Sequence, residues 1–460
     1  MAEVANTIPR RSADPHVQLS ERPRLPDLPE GRFGRLFPDL PPHQASSDIL
    51  LKYGAAAGPI EARSTVQNRL GEDNPRIPAG WPFFGQFIAH DITHDRLPLQ
   101  EREDVGKLHN FRKPRLDLEC IYGAGPVGQP YLYDVHDSDK LLIGRNQDPI
   151  GDLPRNEQGL ALIGDARNDT HLFISQLHLA FLHFHNHVVD KLRGDRVKPD
   201  EVFERAARLV RWHYQWIVLH EFLPLSVGED LVAELLEDGP KLCRFEGRAF
   251  IPVEFSDGAY RFGHAQIRSN YDVNSKVRGV PIFPNLVGIC PITPERQVKW
   301  KLLFQFENAK PPQASRRIGP RLVPALMRLP EALVGQTVRP EFSSLASRDL
   351  FRGHAVELPS GEAIARALGF EPCTATELKT ADGNWSGETP LWLYTLAEAE
   401  VQQNGERLGE VGGRIVGEVI YELLRQDRTS FLNSPGWRPE LAGPTLQFGM
   451  ADLLQYSGLA

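Results

Sequence analysis

The segment GQFIAHDITHD, residues 85–95, places a glutamine, two histidines and two aspartates among apolar neighbours. His90 and His94 are four residues apart, so on a helix they would share one face, with Gln86 one turn before His90. Three interpretations fit this pattern: a polar surface helix, a zinc site with histidines at i and i+4, or a catalytic histidine in a dry pocket. The rest of the chain has to decide between them.

The bulk composition is that of an ordinary globular protein. The chain has 460 residues, of which 41% are hydrophobic and 24% charged, and its formal net charge is −8. Proteins that bind nucleic acid usually have a basic surface, whereas this chain is acidic overall. No apolar run approaches the roughly eighteen residues that a membrane-spanning helix needs. The composition therefore predicts no nucleic-acid partner and no membrane span.

The N-terminal region is rich in proline and in scattered charges, and it lacks the apolar core of a secretory signal peptide. The four cysteines of the chain are widely spaced and form no CxxC pair. We expect an extended arm over residues 1–60, a catalytic body over residues 61–460, and a cytoplasmic location with reduced thiols.

Apolar residues recur at helical spacing through most of the body. Four segments carry this pattern: residues 169–194, 199–228, 390–405 and 412–427. Alternating strand patterns are scarce, and no linker divides the body. The sequence therefore predicts a mainly α fold with a single large helical domain.

Three more segments place polar residues beside apolar helices. LIGDARNDTH (162–171) holds Arg167, YRFGHAQIRSNYD (260–272) holds Arg261 and His264, and SRDLFRGHAVELPSG (347–361) holds Asp349 and Arg352. Each of them alone is a weak signal, because a loop arginine is usually a solvated charge and a lone histidine is usually structural. Their order along the chain is more informative.

In this order, and together with residues 80–95, the segments resemble the animal-type haem peroxidase family. That family includes myeloperoxidase, lactoperoxidase, thyroid peroxidase, the cyclooxygenases, the fatty-acid α-dioxygenases and bacterial relatives. The resemblance covers roughly residues 65–440. It implies a mostly helical fold around a buried b-type haem. It also implies an enzyme that reduces hydrogen peroxide, or an organic hydroperoxide, through a high-valent iron intermediate while oxidising a small organic donor or a halide.

The resemblance assigns residues to the distal side of the haem by position. His90 resembles the distal histidine, which would act as the catalytic acid–base group. Gln86 resembles the distal glutamine that contacts water or halide, and Arg167 resembles the distal arginine. The importance of His94 stays open.

The resemblance also assigns the proximal side. His264 resembles the ligand of the haem iron, and Arg261, three residues earlier, matches an arginine that pairs with a haem propionate. Arg352 matches a second arginine near the haem. Asp349 stands where peroxidases usually carry an asparagine bonded to the proximal histidine.

Two departures from the family pattern change what we expect of the cofactors. The mammalian enzymes attach haem through ester bonds, but Ala89 and Thr170 stand at those positions, so haem b should be bound non-covalently. Asp91 matches a calcium ligand, yet the partner loop lacks the usual threonine and serine and adds Lys113 and Arg115. Calcium is therefore doubtful.

The alternative within the family is a fatty-acid dioxygenase or cyclooxygenase. Those enzymes carry a tyrosine three residues before the proximal histidine, whereas this chain has Arg261 there and Tyr260 one place earlier. The sequence therefore favours a peroxidase.

Two other classes of protein compete with a haem enzyme. A zinc hydrolase built on His90 and His94 leaves Arg167 and His264 unexplained, and a non-catalytic haem-binding relative has no use for the distal residues. The histidine-rich run HLAFLHFHNHVVDKL (178–192) could pass for a metal cluster. Its histidines spread over more than one helix face and align with a core helix of the family, so we interpret them as structural.

Overall fold

The computed structural model describes residues 31–62, 73–94, 104–145, 150–245, 247–335, 339–374, 377–378, 385, 387–442 and 447–460. α-Helices dominate these residues, and we number them in chain order. They are α1 (Ser47–Gly54), α2 (Trp81–Ile92), α3 (Glu119–Tyr122), α4 (Gly125–Gly128), α5 (Leu172–Gly194), α6 (Val202–Ile217), α7 (Leu223–Val227), α8 (Glu229–Asp238), α9 (Val253–Ser256), α10 (Glu331–Val334), α11 (Leu345–Ala355), α12 (Gly361–Ala367), α13 (Leu391–Gln403), α14 (Glu410–Gln426) and α15 (Met450–Tyr456).

Short 3₁₀ turns and one π-helical turn join the α-helices. The π turn is Val218–Phe222, and the 3₁₀ turns are Val105–Lys107, Pro130–Leu132, Ala166–Asp169, Pro199–Glu201, Ala259–Gln266, Pro294–Arg296, Trp300–Leu302, Pro324–Met327, Pro340–Ser343 and Phe431–Asn433. The expected mainly α fold in one large domain is confirmed.

Extended structure is limited to small sheets in the described residues. The strands are β1 (Phe33–Gly34), β2 (Asp73–Pro78), β3 (Ile251–Pro252), β4 (Asn270–Tyr271), β5 (Val280–Pro281) and β6 (Ala314–Arg316). β1 pairs with β3 in parallel, whereas β2 with β6 and β4 with β5 are antiparallel. The first two pairs join segments that are distant in sequence, whereas β4 and β5 are about ten residues apart, and the three pairs do not form a continuous sheet.

The expected N-terminal arm is described only in part, because residues 1–30 lie outside the described residues. Its remaining part contains β1 and α1. Ser46 caps the N-terminus of helix α1, because its side chain accepts a hydrogen bond from the Ile49 amide. Helix α1 packs against α11. This part of the arm is therefore attached to the body.

Helix α5 is the centre of the core. It is buried around most of its circumference and packs against α2, α6 and α15. The His171 side chain caps its first turn by accepting from the Phe173 amide at 3.3 Å. A helix that is apolar on nearly all sides forms the inside of a large protein. The turn Ala166–Asp169 leads directly into α5, so this helix fixes the position of Arg167.

Among the described residues, no helix is both long and apolar enough to cross a membrane.

Candidate functional site: a cavity between helix α2 and the 259–266 segment

One cavity brings together residues from the sequence segments singled out above. It has a volume of about 250 Å³ and lies where α2 packs against the 3₁₀ segment Ala259–Gln266. The polar side chains that line it are Gln86, His90, Thr93, Arg167, Thr170, His171, Ser256, Tyr260, Arg261, His264 and Gln266. The remainder is mainly apolar and includes Phe83, Phe222, Phe283, Leu326, Leu329 and Leu333.

Helix α2 begins and ends close to the residues that it presents. Pro82 occupies its first turn, where a missing amide hydrogen costs nothing. The helix ends at Ile92, because Thr93 adopts an extended conformation with φ −130° and ψ 136°. His94 therefore does not continue the helical face of His90 as we expected, and its backbone amide donates to the Asn110 side chain instead. Asp95 lies outside the described residues.

His90 is only 4% exposed and lines the cavity. Its Nδ1 donates a hydrogen bond to Asn168 Oδ1 at 2.8 Å. Burial, followed by the nearby positive charge of Arg167, lowers the pKa of His90 to about 3. The imidazole is therefore neutral at physiological pH. With its proton at Nδ1, Nε2 carries the lone pair and can accept a proton.

Asn168 and His178 belong to the site although we did not single them out from the sequence. Asn168 Nδ2 donates to His178 Nδ1 at 3.1 Å, so the amide connects His178 to His90. His178 lies on α5 within the histidine-rich run that we interpreted as structural. The pattern of that run could not identify it, because its contact with Asn168 depends on how the chain turns before α5.

Arg167 lines the cavity and is held by fixed partners. Its Nε donates to Asp165 Oδ1 at 3.0 Å, and its Nη2 donates to Asp165 Oδ2 and to the carbonyl oxygens of His90 and Thr93. Within the described residues, its Nη1 makes no hydrogen bond. Arg112 binds the same aspartate, and the two guanidinium groups hold the pKa of Asp165 well below its usual range. The sequence could have indicated Asp165 as a partner of Arg167, because an aspartate two residues earlier typically caps such a turn by accepting from the backbone amide.

Gln86 also lines the cavity, one helical turn before His90. Its side-chain amide makes no hydrogen bond to the described residues. The amide is therefore available to a ligand. Gln86 and His90 of the first segment therefore meet Arg167 of the second at this cavity.

His264 lies on the other element that lines the cavity. Its Nδ1 donates to Asp349 Oδ2 at 2.6 Å, and the carboxylate is fully buried on α11. The expected hydrogen bond between these two residues is present. Because Nδ1 is engaged, Nε2 is the nitrogen left for a metal or a ligand. Within the described part of the chain, it has no hydrogen-bond partner.

Arg261 is bound by protein groups on three sides. Its Nη1 donates to Asp349 Oδ1, its Nη2 to Asp257 Oδ1 and its Nε to the Ser256 carbonyl, each at 2.9 Å. The guanidinium that the resemblance assigns to a haem propionate is therefore already neutralised by two carboxylates. We did not single out Asp257 from the sequence, although its i, i+4 spacing from Arg261 is typical of ion pairs.

Arg352 is 2% exposed on α11, one turn after Asp349, and it is not among the described residues that line the cavity.

The positions that carry ester bonds in the mammalian enzymes also face the cavity. Ala89 and Thr170 both line it, and the Thr170 hydroxyl donates to the Arg167 carbonyl. Neither side chain is a carboxylate, so neither can form an ester.

Asp91, the position of the expected calcium ligand, is fully buried near the end of α2. Its Oδ2 accepts from the Leu118 amide at 3.0 Å, and burial, together with the negative charge of Asp117, raises its pKa to about 8. No group of three or more histidine, cysteine, aspartate or glutamate side chains among the described residues could hold a metal ion. The zinc interpretation of His90 and His94 thus has no third ligand in this part of the chain.

Comparisons with known proteins agree with this geometry. The sequence model of the family described as animal haem peroxidase matches residues 114–286. Peroxidasin from Drosophila melanogaster is 22% identical over 387 residues, which cover 74% of this chain and 24% of that protein. The chain thus spans about a quarter of the length of that relative.

Two solved structures share the fold. Peroxidase A from Dictyostelium discoideum superposes with a TM-score of 0.67 at 15% identity, and the match covers 93% of each chain. Fatty acid alpha-dioxygenase from Oryza sativa gives a TM-score of 0.58 at 15% identity, covering 90% of this chain and 77% of that one. In sequence the chain is thus similar to the animal haem peroxidase family over residues 114–286, and in fold it is similar to both of these solved structures.

Proposed function

We propose that the protein is a haem-dependent peroxidase that reduces hydrogen peroxide, or an organic hydroperoxide, and oxidises a small organic donor or a halide. One observation carries this proposal: a single cavity is lined by a neutral imidazole, His90, and by a second imidazole, His264, that a buried carboxylate holds. The first is suited to proton transfer and the second to binding iron.

The cavity residues fit a haem. The Nε2 of His264 is available to iron, and the apolar lining suits a porphyrin. Two buried polar atoms that belong to lining residues, His171 Nε2 and Gln266 Nε2, have no hydrogen-bond partner among the described residues. Buried polar groups are nearly always paired in native proteins, so unpaired ones here support a bound molecule with acceptor groups.

The distal residues would move one proton during the reaction. Haem would supply an iron that binds peroxide and exchanges electrons with it. His90 Nε2 would take the proton from one oxygen of the peroxide and deliver it to the other oxygen, which leaves as water. Acid–base help of this kind is typically worth about 10²- to 10⁴-fold in rate. Arg167, fixed by Asp165, would stabilise negative charge on the departing oxygen without having to reorganise.

Purified protein tests the proposal directly. We expect a Soret band after expression with a haem supply, and peroxide-dependent oxidation of a phenol or of bromide. The control is the same mixture without peroxide. A protein that takes up no haem, or whose haem does not respond to peroxide, would contradict the proposal.

A fatty-acid dioxygenase is the alternative function. The leucines on one part of the cavity wall and the fold shared with the rice enzyme favour it. Against it, position 261 is an arginine, and the Tyr260 hydroxyl donates to the Gly85 carbonyl at 3.1 Å. Oxygen consumption with a long-chain fatty acid, and no oxidation of phenols or bromide, would establish this alternative.

The cofactor should be haem b held without covalent bonds, because Ala89 and Thr170 stand at the ester positions. We therefore expect acidified organic solvent to extract essentially all of the porphyrin from the denatured protein. The absorbance of the protein and solvent phases at the Soret wavelength measures this. Porphyrin that stays with the polypeptide would reveal a different covalent link.

We also propose that the protein works in the cytoplasm, where thiols stay reduced. All four cysteines are free, and three of them are buried. Structural disulfides are typical of oxidising compartments, and none of the cysteines here forms one.

A further inference from the structure

A chain of two hydrogen bonds leads from helix α5 to the imidazole of His90. His178 Nδ1 accepts from Asn168 Nδ2, and Asn168 Oδ1 accepts from His90 Nδ1. Asn168 and His178 are both fully buried, and His90 nearly so. We propose that Asn168 and His178 are positioning residues that fix the proton of His90 at Nδ1 and thereby keep Nε2 free to act as the base. The catalytic consequence rests on the proposed function, whereas the tautomer itself does not.

The two ends of an amide group differ in the hydrogen bonds that they can form. An amide oxygen can only accept a hydrogen bond and an amide nitrogen can only donate. With Oδ1 towards His90, the ring must carry its proton at Nδ1. If the amide of Asn168 turned over, its nitrogen would donate to His90 Nδ1, and the ring proton would move to Nε2. That tautomer cannot take a proton from a ligand in the cavity.

His178 is the group that decides between these two orientations of the amide. It lies on the buried helix α5, and burial lowers its pKa to about 3, so it is neutral. Its ring packs edge-on against Phe87 of α2, with 6.3 Å between ring centres. With its own proton at Nε2, which has no hydrogen-bond partner among the described residues, His178 Nδ1 accepts from the amide nitrogen of Asn168, and this leaves the amide oxygen for His90.

The charged groups near His90 do not form this bond themselves. Arg167 and Arg112 disfavour its protonation, and Asp165 favours it. These three residues are tied to one another by ion pairs: both arginines bind the Asp165 carboxylate. These three residues set the electrostatic environment of the ring. The side chain that accepts the hydrogen bond from His90 Nδ1 is that of Asn168.

Variants of Asn168 separate the effect of its hydrogen bonds on the His90 tautomer from the effect of its side-chain packing. Asn168→Leu keeps the approximate shape but removes both polar ends, so we expect the rate of cyanide binding to the ferric haem to fall by about 10- to 100-fold. Cyanide is a suitable probe because HCN has to give its proton to a base in the cavity. Asn168→Asp retains an acceptor for His90 and should stay within a few-fold of wild type. Its negative charge should shift the acidic limb of the pH–rate profile to higher pH, because it raises the pKa of His90.

Variants of His178 test the far end of the chain. Asn has an acceptor oxygen close to the position of Nδ1, so His178→Asn should retain most of the cyanide-binding rate. His178→Leu should lose it to a similar extent as Asn168→Leu. His183→Gln is the matched control on the same helix, because His183 bonds to the Ile150 carbonyl and does not line the cavity. It should bind cyanide like the wild type.

The outcomes distinguish this inference from the proposed function. Histidine ¹⁵N NMR of the full chain reports which nitrogen of His90 is protonated, with His90→Gln used for assignment. A proton at Nδ1 in the wild type and a mixture in the leucine variants would support the inference even if peroxide were not turned over. A proton at Nε2 in the wild type, or wild-type cyanide rates in folded Asn168→Leu and His178→Leu, would overturn it. Thermal melts followed by circular dichroism identify which variants are folded. If a leucine variant does not fold, Asn168→Asp and His178→Asn still test the inference.

Discussion

Replacing His264 with alanine is expected to leave the protein unable to hold a haem. The cavity offers Nε2 of this residue to the iron, and Asp349 fixes the ring through its other nitrogen. Losing the hydrogen-bond partner of a metal ligand typically weakens a site by about 10- to 100-fold, and losing the ligand itself should cost more. The measurement is the ratio of haem to protein after purification, together with the ferric absorption spectrum.

Two controls make the result of this substitution specific. His183→Ala removes a histidine from α5 that bonds to the Ile150 carbonyl outside the cavity, and it should keep a full complement of haem. His264→Gly should regain haem binding when imidazole is added, because the small ligand can occupy the vacated space. Full haem occupancy and an unchanged spectrum in His264→Ala would show that another residue binds the iron.

Replacing His90 with alanine should slow the reaction with peroxide by about 10²- to 10⁴-fold while haem binding persists. The substitution removes the proton acceptor and leaves His264 in place. Stopped-flow absorbance after mixing with peroxide gives the rate. In the wild type this rate should be insensitive to protonation of His90 above about pH 4, because the pKa of this residue is lowered to about 3 and the ring stays neutral.

The double variant with Arg167→Ala gives a second check on His90. Both side chains serve one bond-breaking step, so their effects should not add. Near-normal rates in His90→Ala, with haem bound, would mean that this histidine is structural.

Much of the site could be predicted because its residues lie in short sequence motifs, and the order of these motifs along the chain is that of a known family. Gln86 and His90 lie in one segment, and Arg167 and His264 lie in two others; the structure brings all four residues to one cavity. The helical spacing that fixed Gln86 relative to His90 is a local property of α2. The inference that His94 shares their face was wrong, because periodicity does not reveal that Thr93 ends the helix in an extended conformation.

The partners of these residues could not be predicted in the same way. His178 contacts Asn168 because the turn at 166–169 folds back onto α5. Such contacts depend on three-dimensional positions that a single sequence does not encode at any fixed spacing. An asparagine beside an arginine, or a histidine in an apolar helix, has too many ordinary explanations to be chosen in advance.

The hydrogen bonds around His264 have a consequence for the order in which the enzyme matures. Asp349 joins residues that are 85 and 88 positions away in sequence, and Arg261 adds Asp257, all without any group from outside the polypeptide. Because these bonds join only groups of the polypeptide, the folded chain can orient the imidazole by itself, and haem binding then has little ordering entropy to overcome. Haem uptake would then be the final step of biogenesis.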